Sequence, residues 1–241
     1  MVKTIVCTPT KNRGWTYKFS KACMDAQVQS PVHWVVVDNS DTPEQGWEAS
    51  QADPRVVYEH VDGPRTVGWM RNRCIEIALR YEWDFLVFWD DDDYYPPTRI
   101  STGVNALVSS PKADIAGSTV LWILLTRENV MVQSGPFHDA HATAATFTVR
   151  RSYVESNRFD PEKKKGEELS FTKNWAASMV QVPHEETIVV MGHSTNTVDK
   201  SDVGKRPHVY GGHTINSDNA RMMFRVRWPV PWELFRETFR V

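Results

Sequence analysis

Four consecutive aspartates, Asp90, Asp91, Asp92 and Asp93, directly follow the apolar run DFLVFW. Adjacent carboxylates beside a low-dielectric strand repel one another, and a divalent cation would offset that repulsion. Carboxylates are hard oxygen ligands, so Mn2+ or Mg2+ suits them better than Zn2+. Two protein carboxylates leave coordination positions for phosphate oxygens and water. The bland alternative is a solvated acidic turn, one aspartate capping the helix expected from residue 98. Further polar groups occur at intervals: TPTKNR at 8–13, DNSD at 38–41, the pair Glu167-Glu168 after Gly166, and MGHSTNT at 191–197. The acidic pair has a plain structural explanation too, because acids are favoured in the first turn of a helix. His193 has one as well, since a lone histidine after a strand more often serves structure than chemistry.

The elements that must carry these groups alternate. Strand-like runs stand at residues 3–7, 33–38, 56–59 and 84–89, and helical spacing at 17–29, 68–81 and 98–108. The continuous apolar runs HWVVVD and DFLVFW are typical of strands covered on both faces. Such alternation predicts an α/β layer with a mostly parallel sheet. Ligands bind such sheets beyond the carboxyl ends of the strands, which is where the clusters at 8–13, 38–41 and 90–93 fall. The second half is less regular, with strand-like runs at 113–125, 144–150 and 187–191 and a helix expected over 167–178. Residues 192–219 read as one long polar loop. His208 and His213 lie in it, and Gly204, Gly211 and Gly212 would let it move as a lid.

Composition narrows the class. The 241 residues carry 41% hydrophobic and 24% charged side chains with a net charge of −2, which argues for a soluble globular enzyme and against a general attraction to nucleic acid. Ten tryptophans suit either a sugar-stacking surface or a core of large side chains. Cys7, Cys23 and Cys74 are an odd set without zinc spacing, expected to be reduced and packed, and this points to a cytoplasmic setting. No apolar run approaches the length of a membrane span, and the first residues do not read as a signal peptide. No linker separates two independent domains, so a single domain is expected over 1–220. Residues 221–241 form an aromatic, arginine-rich tail expected to pack on it. Peripheral contact with an anionic membrane is the rival reading of the tail, weakened because Pro229 and Pro231 interrupt any continuous amphipathic helix.

Taken together, the motifs resemble family 2 glycosyltransferases. Met70-Arg71-Asn72, then Ile75 and Ala78, then FLVFWDDDDYYPP, is similar to that family's central block. IVCTPTKNR and VVVDNSD resemble its first two strands and their loops. The resemblance implies a GT-A catalytic domain over 1–220, two abutting Rossmann-like halves, nucleotide-binding at 1–100 and acceptor-binding at 101–220, with a mixed, mostly parallel sheet flanked by helices. It also implies a nucleotide-sugar donor and Mn2+ or Mg2+. By position, Asp38 would accept a hydrogen bond from a uracil N–H or a ribose hydroxyl, and Thr8, Pro9 and Arg13 would border the base. Arg71 would meet the nucleotide. Asp90 and Asp92 fill the D-x-D positions, Asp92 the better metal ligand and Asp90 nearer the ribose, with Asp91 on the nucleotide side and Asp93 structural. Gly166-Glu167-Glu168 is similar to the family's G-x-E-D element, whose second acid is the general base in inverting members; Glu168 and Glu167 both remain candidates. His193 would complete the metal or diphosphate site.

The implied activity is inverting transfer from a nucleotide-diphosphate sugar, UDP-sugar favoured, to a hydroxyl on a glycan or another acceptor. A nucleic-acid acceptor is the less favoured option. A retaining transferase or a sugar nucleotidyltransferase on a similar fold would differ in product anomer or in pyrophosphate release. A carbohydrate-binding module would show no turnover. A metal-dependent phosphohydrolase fits less well, because no aspartate stands in a nucleophile loop near the start of the chain.

Overall fold

The computed structural model describes residues 2–194, 196, 213–216 and 219–241. Among these, seven strands form one sheet in the order β3-β2-β1-β4-β8-β5-β9. Its parallel centre is built from β1 (Thr4–Thr10), β2 (His33–Asp38), β3 (Val56–His60) and β4 (Phe85–Phe88). β8 (Thr148–Arg150) runs antiparallel between β4 and β5 (Ile115–Gly117), and β9 (Met179–Gln181) is parallel to β5 at the edge. A second sheet of four strands has the order β10-β6-β7-β11, from β6 (Leu121–Leu125), β7 (Val130–Ser134), β10 (Val189–Gly192) and β11 (His213–Asn216).

Both faces of the main sheet are covered, as its unbroken apolar runs require. Val6, Trp34, Val36 and Val87 pack on one side with Phe19 and Cys23 of α1 (Tyr17–Asp25) and with Ile100 and Leu107 of α4 (Arg99–Ser109). Ile5, Val35, Val37 and Leu86, one residue out of phase, pack on the other with Cys74, Ile75 and Ala78 of α3 (Val67–Ala78). This period-two division is the strand pleat read directly from the sequence. Thr66 caps α3 by accepting from Trp69 N at 3.1 Å. Gly68 lets the helix start approach residues 160–163, since a Cβ there would stand 2.1 Å from Asp160 O. The basic loop 163–165 is thereby held against the site. All three cysteines are free and buried.

Several expected boundaries move for local reasons. α1 ends at Asp25 because Gln27 turns inward: its Nε2 donates to Cys23 O and Pro96 O, and its Oε1 accepts from Ile100 N. The strand-like run 113–125 is two strands in different sheets, parted where Ser118 Oγ and Val120 exchange hydrogen bonds. In the run 144–150, residues Ala144–Thr146 form a 3₁₀ turn and only 148–150 join the sheet. The helix expected over 167–178 is the single turn α6 (Glu168–Phe171), followed by Lys173, Asn174 and Trp175 at φ 55°, 56° and 65°. Thr172 closes that turn by donating from Oγ1 to Glu168 O, and Asn174 N donates back to Leu169 O at 2.7 Å. The span 192–219 includes β11, so it is not all loop. The lid residues Gly204, Gly211 and Gly212, and His208, lie outside the described residues, as does every feature of His213 beyond its strand position.

Short helices α2 (Gln45–Ala49) and α5 (Arg151–Ser156) complete the body. The tail forms α7 (Ala220–Arg227) and α8 (Trp232–Phe239), separated by the Pro229 and Pro231 segment. Phe224, Trp228, Phe235 and Phe239 are buried in the first apolar cluster, and Phe235 and Phe239 rest on Phe19 of α1. No helix among the described residues is long and apolar enough to cross a membrane.

Candidate active site

The carboxyl ends of β1 and β4 open onto two adjoining cavities. The first, about 620 Å³, is lined by 9–13, 64–67, Met70, Arg71, Asp90, Asp91 and Lys164. The second, about 200 Å³, shares Arg13, Val67, Arg71, Asp90 and Lys164, and adds Asp92, Asp93, 143–145, Lys165, Glu167, Glu168 and Asn196. The aspartates therefore form the divide between a nucleotide-sized chamber and a smaller cleft that contains both candidate bases.

Each aspartate has its own partner. Asp91, fully enclosed, accepts from Thr10 Oγ1 at 2.5 Å and from Arg13 Nη1 at 2.9 Å. Burial, opposed by Arg13 and reinforced by Asp92, pushes its carboxyl up to about 7. Asp92 lies 2.8 Å from the same Arg13 Nη1 and 3.0 Å from His193 Nε2. Asp90 receives Arg71 Nη2 at 2.9 Å. Asp93 Oδ1 accepts from Met191 N at 2.8 Å and so fixes β10 beside the cluster. Arg71 is buried beneath the cluster and its Nε also donates to Glu167 at 3.1 Å, while its Nη1 is buried with no hydrogen-bond partner. The acids hold both arginines charged, raising their pKa values above the ordinary arginine range against the effect of burial.

Glu167 and Glu168 adjoin but differ. Glu167 is locked to Arg71, whereas Glu168 Oε2 is buried and has no hydrogen-bond partner. Burial first, and then the neighbouring Glu167, raise the Glu168 carboxyl above its usual value.

A divalent ion can be tested against the groups present. Asn196 orients the histidine: its Oδ1 accepts from His193 N at 2.7 Å, which turns its amide nitrogen toward His193 Nε2 at 3.0 Å. With the imidazole proton on Nδ1, His193 Nε2 accepts from Asn196 Nδ2 and stands 3.0 Å from Asp92 Oδ2, which also receives Arg13, so a nitrogen and an oxygen that can ligate a cation are adjacent here, each with a partner that the cation would displace. Among the described residues no three His, Cys, Asp or Glu side chains form a metal cluster. Two protein ligands are enough for Mg2+ or Mn2+ when substrate phosphates and water complete the shell. Trp15 and Phe239 brace the His193 ring at centroid distances of 5.3 Å and 5.9 Å.

Two residues expected to touch the nucleotide have their side-chain oxygens engaged within the fold. The Asp38 carboxylate is fully buried and occupied by Ser40 N, Ser40 Oγ, Glu44 N and Tyr58 OH, so it shapes the 38–44 loop and does not face the cavity. The Thr8 hydroxyl is likewise enclosed and accepts from Trp34 Nε1 at 2.9 Å. Pro9 and Arg13 do line the nucleotide-sized cavity. Residues not singled out from the sequence also line the site, including Thr10, Lys164 and Lys165. The lysine run at 163–165 just before Gly166 was the available signal. Thr10 gave none, because its role depends on contact with a residue 81 positions away.

A family model described as Glycosyl transferase family 2 matches residues 5–167. The chain belongs to that family. The match ends one residue before Glu168, so His193, Asn196 and the tail lie beyond it. Among solved structures, S. aureus TarS 1–349 is similar with a TM-score of 0.56 and 16% identity, over 79% of this chain and 61% of that one. Mannosyltransferase PcManGT from Pyrobaculum calidifontis, in complex with GDP-Man and Mn2+, gives a TM-score of 0.58 and 15% identity, over 81% of this chain and 58% of that one. TarS 1–349 in complex with UDP gives 0.55 and 16%, over 85% and 63%. This chain thus spans about three-fifths of the length of each of these structures. Among curated protein sequences none matches it. The seven-stranded, mostly parallel sheet flanked by helices is the GT-A arrangement.

Proposed function

We propose that this family 2 member is an inverting glycosyltransferase that moves a sugar from a nucleotide-diphosphate donor, with a UDP-sugar favoured, to a hydroxyl of a glycan or other acceptor. The observation that carries the reading is Glu168 Oε2, an unpartnered buried carboxylate oxygen in the cleft that also holds Asp90, Asp92 and Arg71. The acceptor oxygen attacks the anomeric carbon, the bond from that carbon to the diphosphate breaks, and Glu168 takes the acceptor proton. Attack opposite the leaving group inverts the anomeric configuration. Glu167 serves as the anchor of Arg71, and Arg71 Nη1, buried without a partner, is available to the departing diphosphate. Mn2+ or Mg2+, held by Asp92 and His193, supplies further positive charge to the diphosphate when bound. Asp90, expected among the metal ligands, pairs with Arg71 and suits the phosphate and ribose side better. Lys164 and Lys165 extend the positive wall.

The complexes of similar structures with UDP and with GDP-Man and Mn2+ support a nucleotide-diphosphate donor and a divalent ion. A cytoplasmic location is part of the proposal and rests on the three reduced, buried cysteines. The test is a panel of UDP-, GDP- and dTDP-sugars, with Mn2+ or with chelator, followed by thermal shift, donor hydrolysis and the anomeric signal of the product. Metal-dependent stabilisation by one donor and an inverted product are expected. If no nucleotide-sugar binds, the reading fails; a retained anomer overturns its inverting part.

A further inference from the structure

Beyond the catalytic cleft, at the carboxyl ends of β5 and β9, four rings gather that the proposed chemistry does not use. Phe137, His138 and His141 come from the loop after β7, and Trp175 from the turn after α6. Phe137 and Trp175 each stand near His141, at centroid distances of 4.7 Å. His138 lies 5.7 Å from His141 and 6.0 Å from Trp175. The cluster is not core packing: none of its members belongs to either apolar cluster, Phe137 is 49% exposed, and His138 is exposed.

The backbone sustains an unfavourable conformation to place it. Lys173, Asn174 and Trp175 are three successive non-glycine residues in the left-handed region, at φ 55°, 56° and 65°. Each such residue is disfavoured, a bulky tryptophan most of all. The turn persists because Asn174 N donates to Leu169 O and Ala177 N donates to Thr172 O. A continued α-helix would have carried Trp175 elsewhere. The opposing loop is equally fixed. Gln181 Nε2 donates to Asp139 O at 2.7 Å and His141 O at 2.9 Å, its Oε1 accepts from Thr119 N, and Phe137 N donates to Thr119 Oγ1. Strain held in place by surrounding bonds is a feature of sites more than of scaffolds.

Both chain segments lead directly into the reaction cleft. Two residues past His141 the chain reaches Thr143, Ala144 and Ala145, which line that cleft, and the Trp175 turn is bonded to the helix that begins at Glu168. Exposed and half-buried flat rings, on chain segments that run on into a cleft that holds a proton acceptor, match the C–H faces of a sugar. Burial and the nearby His138 hold the His141 imidazole below its ordinary pKa, which keeps it uncharged for hydrogen bonding to hydroxyls.

We propose that Phe137, His138, His141 and Trp175 form the acceptor subsite, a platform on which a pyranose of a glycan acceptor stacks with its hydroxyl directed toward Glu168. This rests on the transferase reading above. The whole chain, loaded with UDP and Mn2+, is to be screened by saturation-transfer NMR. The probes are methyl pyranosides and gluco-, manno- and N-acetylglucosamine oligosaccharides, and transfer from the responding nucleotide-sugar is measured in parallel. At least one saccharide should receive saturation and act as acceptor. Trp175→Ala should raise its KM about tenfold, with a smaller change in kcat, UDP affinity within twofold and an unchanged melting temperature. Trp175→Phe should recover part of the loss. His138→Ala, at an exposed position, should raise KM by a smaller factor and provides a variant free of folding effects. An unchanged acceptor KM in both alanine variants overturns the subsite. So does a wild-type protein that hydrolyses its donor yet binds none of the saccharides, an outcome that leaves the transferase reading standing. Failure to bind any nucleotide-sugar removes the transferase reading itself.

Discussion

The two ends of the strand edge handle charge in opposite ways. At the nucleotide end Arg71 Nη1 is left open, and the acids are closed into pairs: Arg13 with Asp91 and Asp92, Arg71 with Asp90 and Glu167, and Asp38 with four donors. At the acceptor end, Glu168 Oε2 has no partner and the rings around Trp175 stand in water contact. On the function proposed above, the difference follows from the demands on each end. A diphosphate needs cations already oriented before it arrives, and buried acids hold them in place. A proton acceptor must remain available, so its site carries the cost of an unsatisfied carboxylate. Order at one end and an uncompensated group at the other are therefore two parts of one device.

The largest effect that would break this contrast comes from the tail. Phe224, Trp228, Phe235 and Phe239 of the tail are buried in the body. Truncating one such side chain costs about 3–5 kcal/mol, and a whole domain is stable by only about 5–15 kcal/mol. Deleting residues 221–241 should abolish cooperative thermal unfolding together with transfer. A truncated protein that keeps its melting temperature, and loses only liposome or DNA binding, would recast the tail as an interaction arm.

Next in size is the unpaired carboxylate. Glu168→Gln should lower kcat by about 10²–10⁴ while UDP affinity stays within twofold, because it removes a base and not a ligand. Glu167→Gln should be milder in turnover and should weaken donor binding through Arg71. If Glu167→Gln is the inactive variant and Glu168→Gln turns over normally, the two acids exchange roles and the contrast between the ends loses its basis.

How much of this was legible in the sequence depends on which forces set each element. The strands HWVVVD and FLVF are continuous apolar runs, and such runs admit few structures other than a doubly covered strand. The aspartates followed from position alone, since a polar run after a buried strand falls at its carboxyl end. For Asp38 the same logic places it at the edge without saying which way it turns. Ser40, Glu44 and Tyr58 claim it, through a loop conformation no pattern encodes. α6 misled because periodicity continues past Phe171 whereas the backbone does not; side-chain bonds from Thr172 and the left-handed turn stop it. Long-range pairs such as Thr10 with Asp91, 81 residues apart, required the fold.

A smaller effect sharpens the nucleotide end. Asp92→Asn should weaken Mn2+-dependent UDP binding by about 10–100-fold in calorimetry, while binding measured without metal changes little. Asp93→Asn should lose less, because that carboxylate holds Met191 N and the neutral amide oxygen can still accept there. Unchanged binding in Asp92→Asn would remove it from the metal site.

The smallest effect is one of stability and follows from the sign of a titration. The Glu168 carboxyl is raised above its ordinary value of 4.5 by burial and by Glu167. Below the unfolded value both states hold the proton and the residue contributes no pH dependence. As pH rises, the unfolded chain ionises first, binds fewer protons than the folded one, and is favoured by the difference. Glu168 therefore destabilises the fold at neutral pH and not at pH 4. Glu168→Gln keeps the shape and removes the charge, so it should melt higher than the wild type at pH 7, and that advantage should disappear by pH 4. The same shift places the acidic limb of the wild-type kcat/KM profile above the usual glutamate range, since turnover requires the ionised base. Melting curves at the two pH values decide it. A variant no more stable than wild type at pH 7 would mean that Glu168 is compensated in the folded enzyme, and the acceptor end would then be as closed as the nucleotide end.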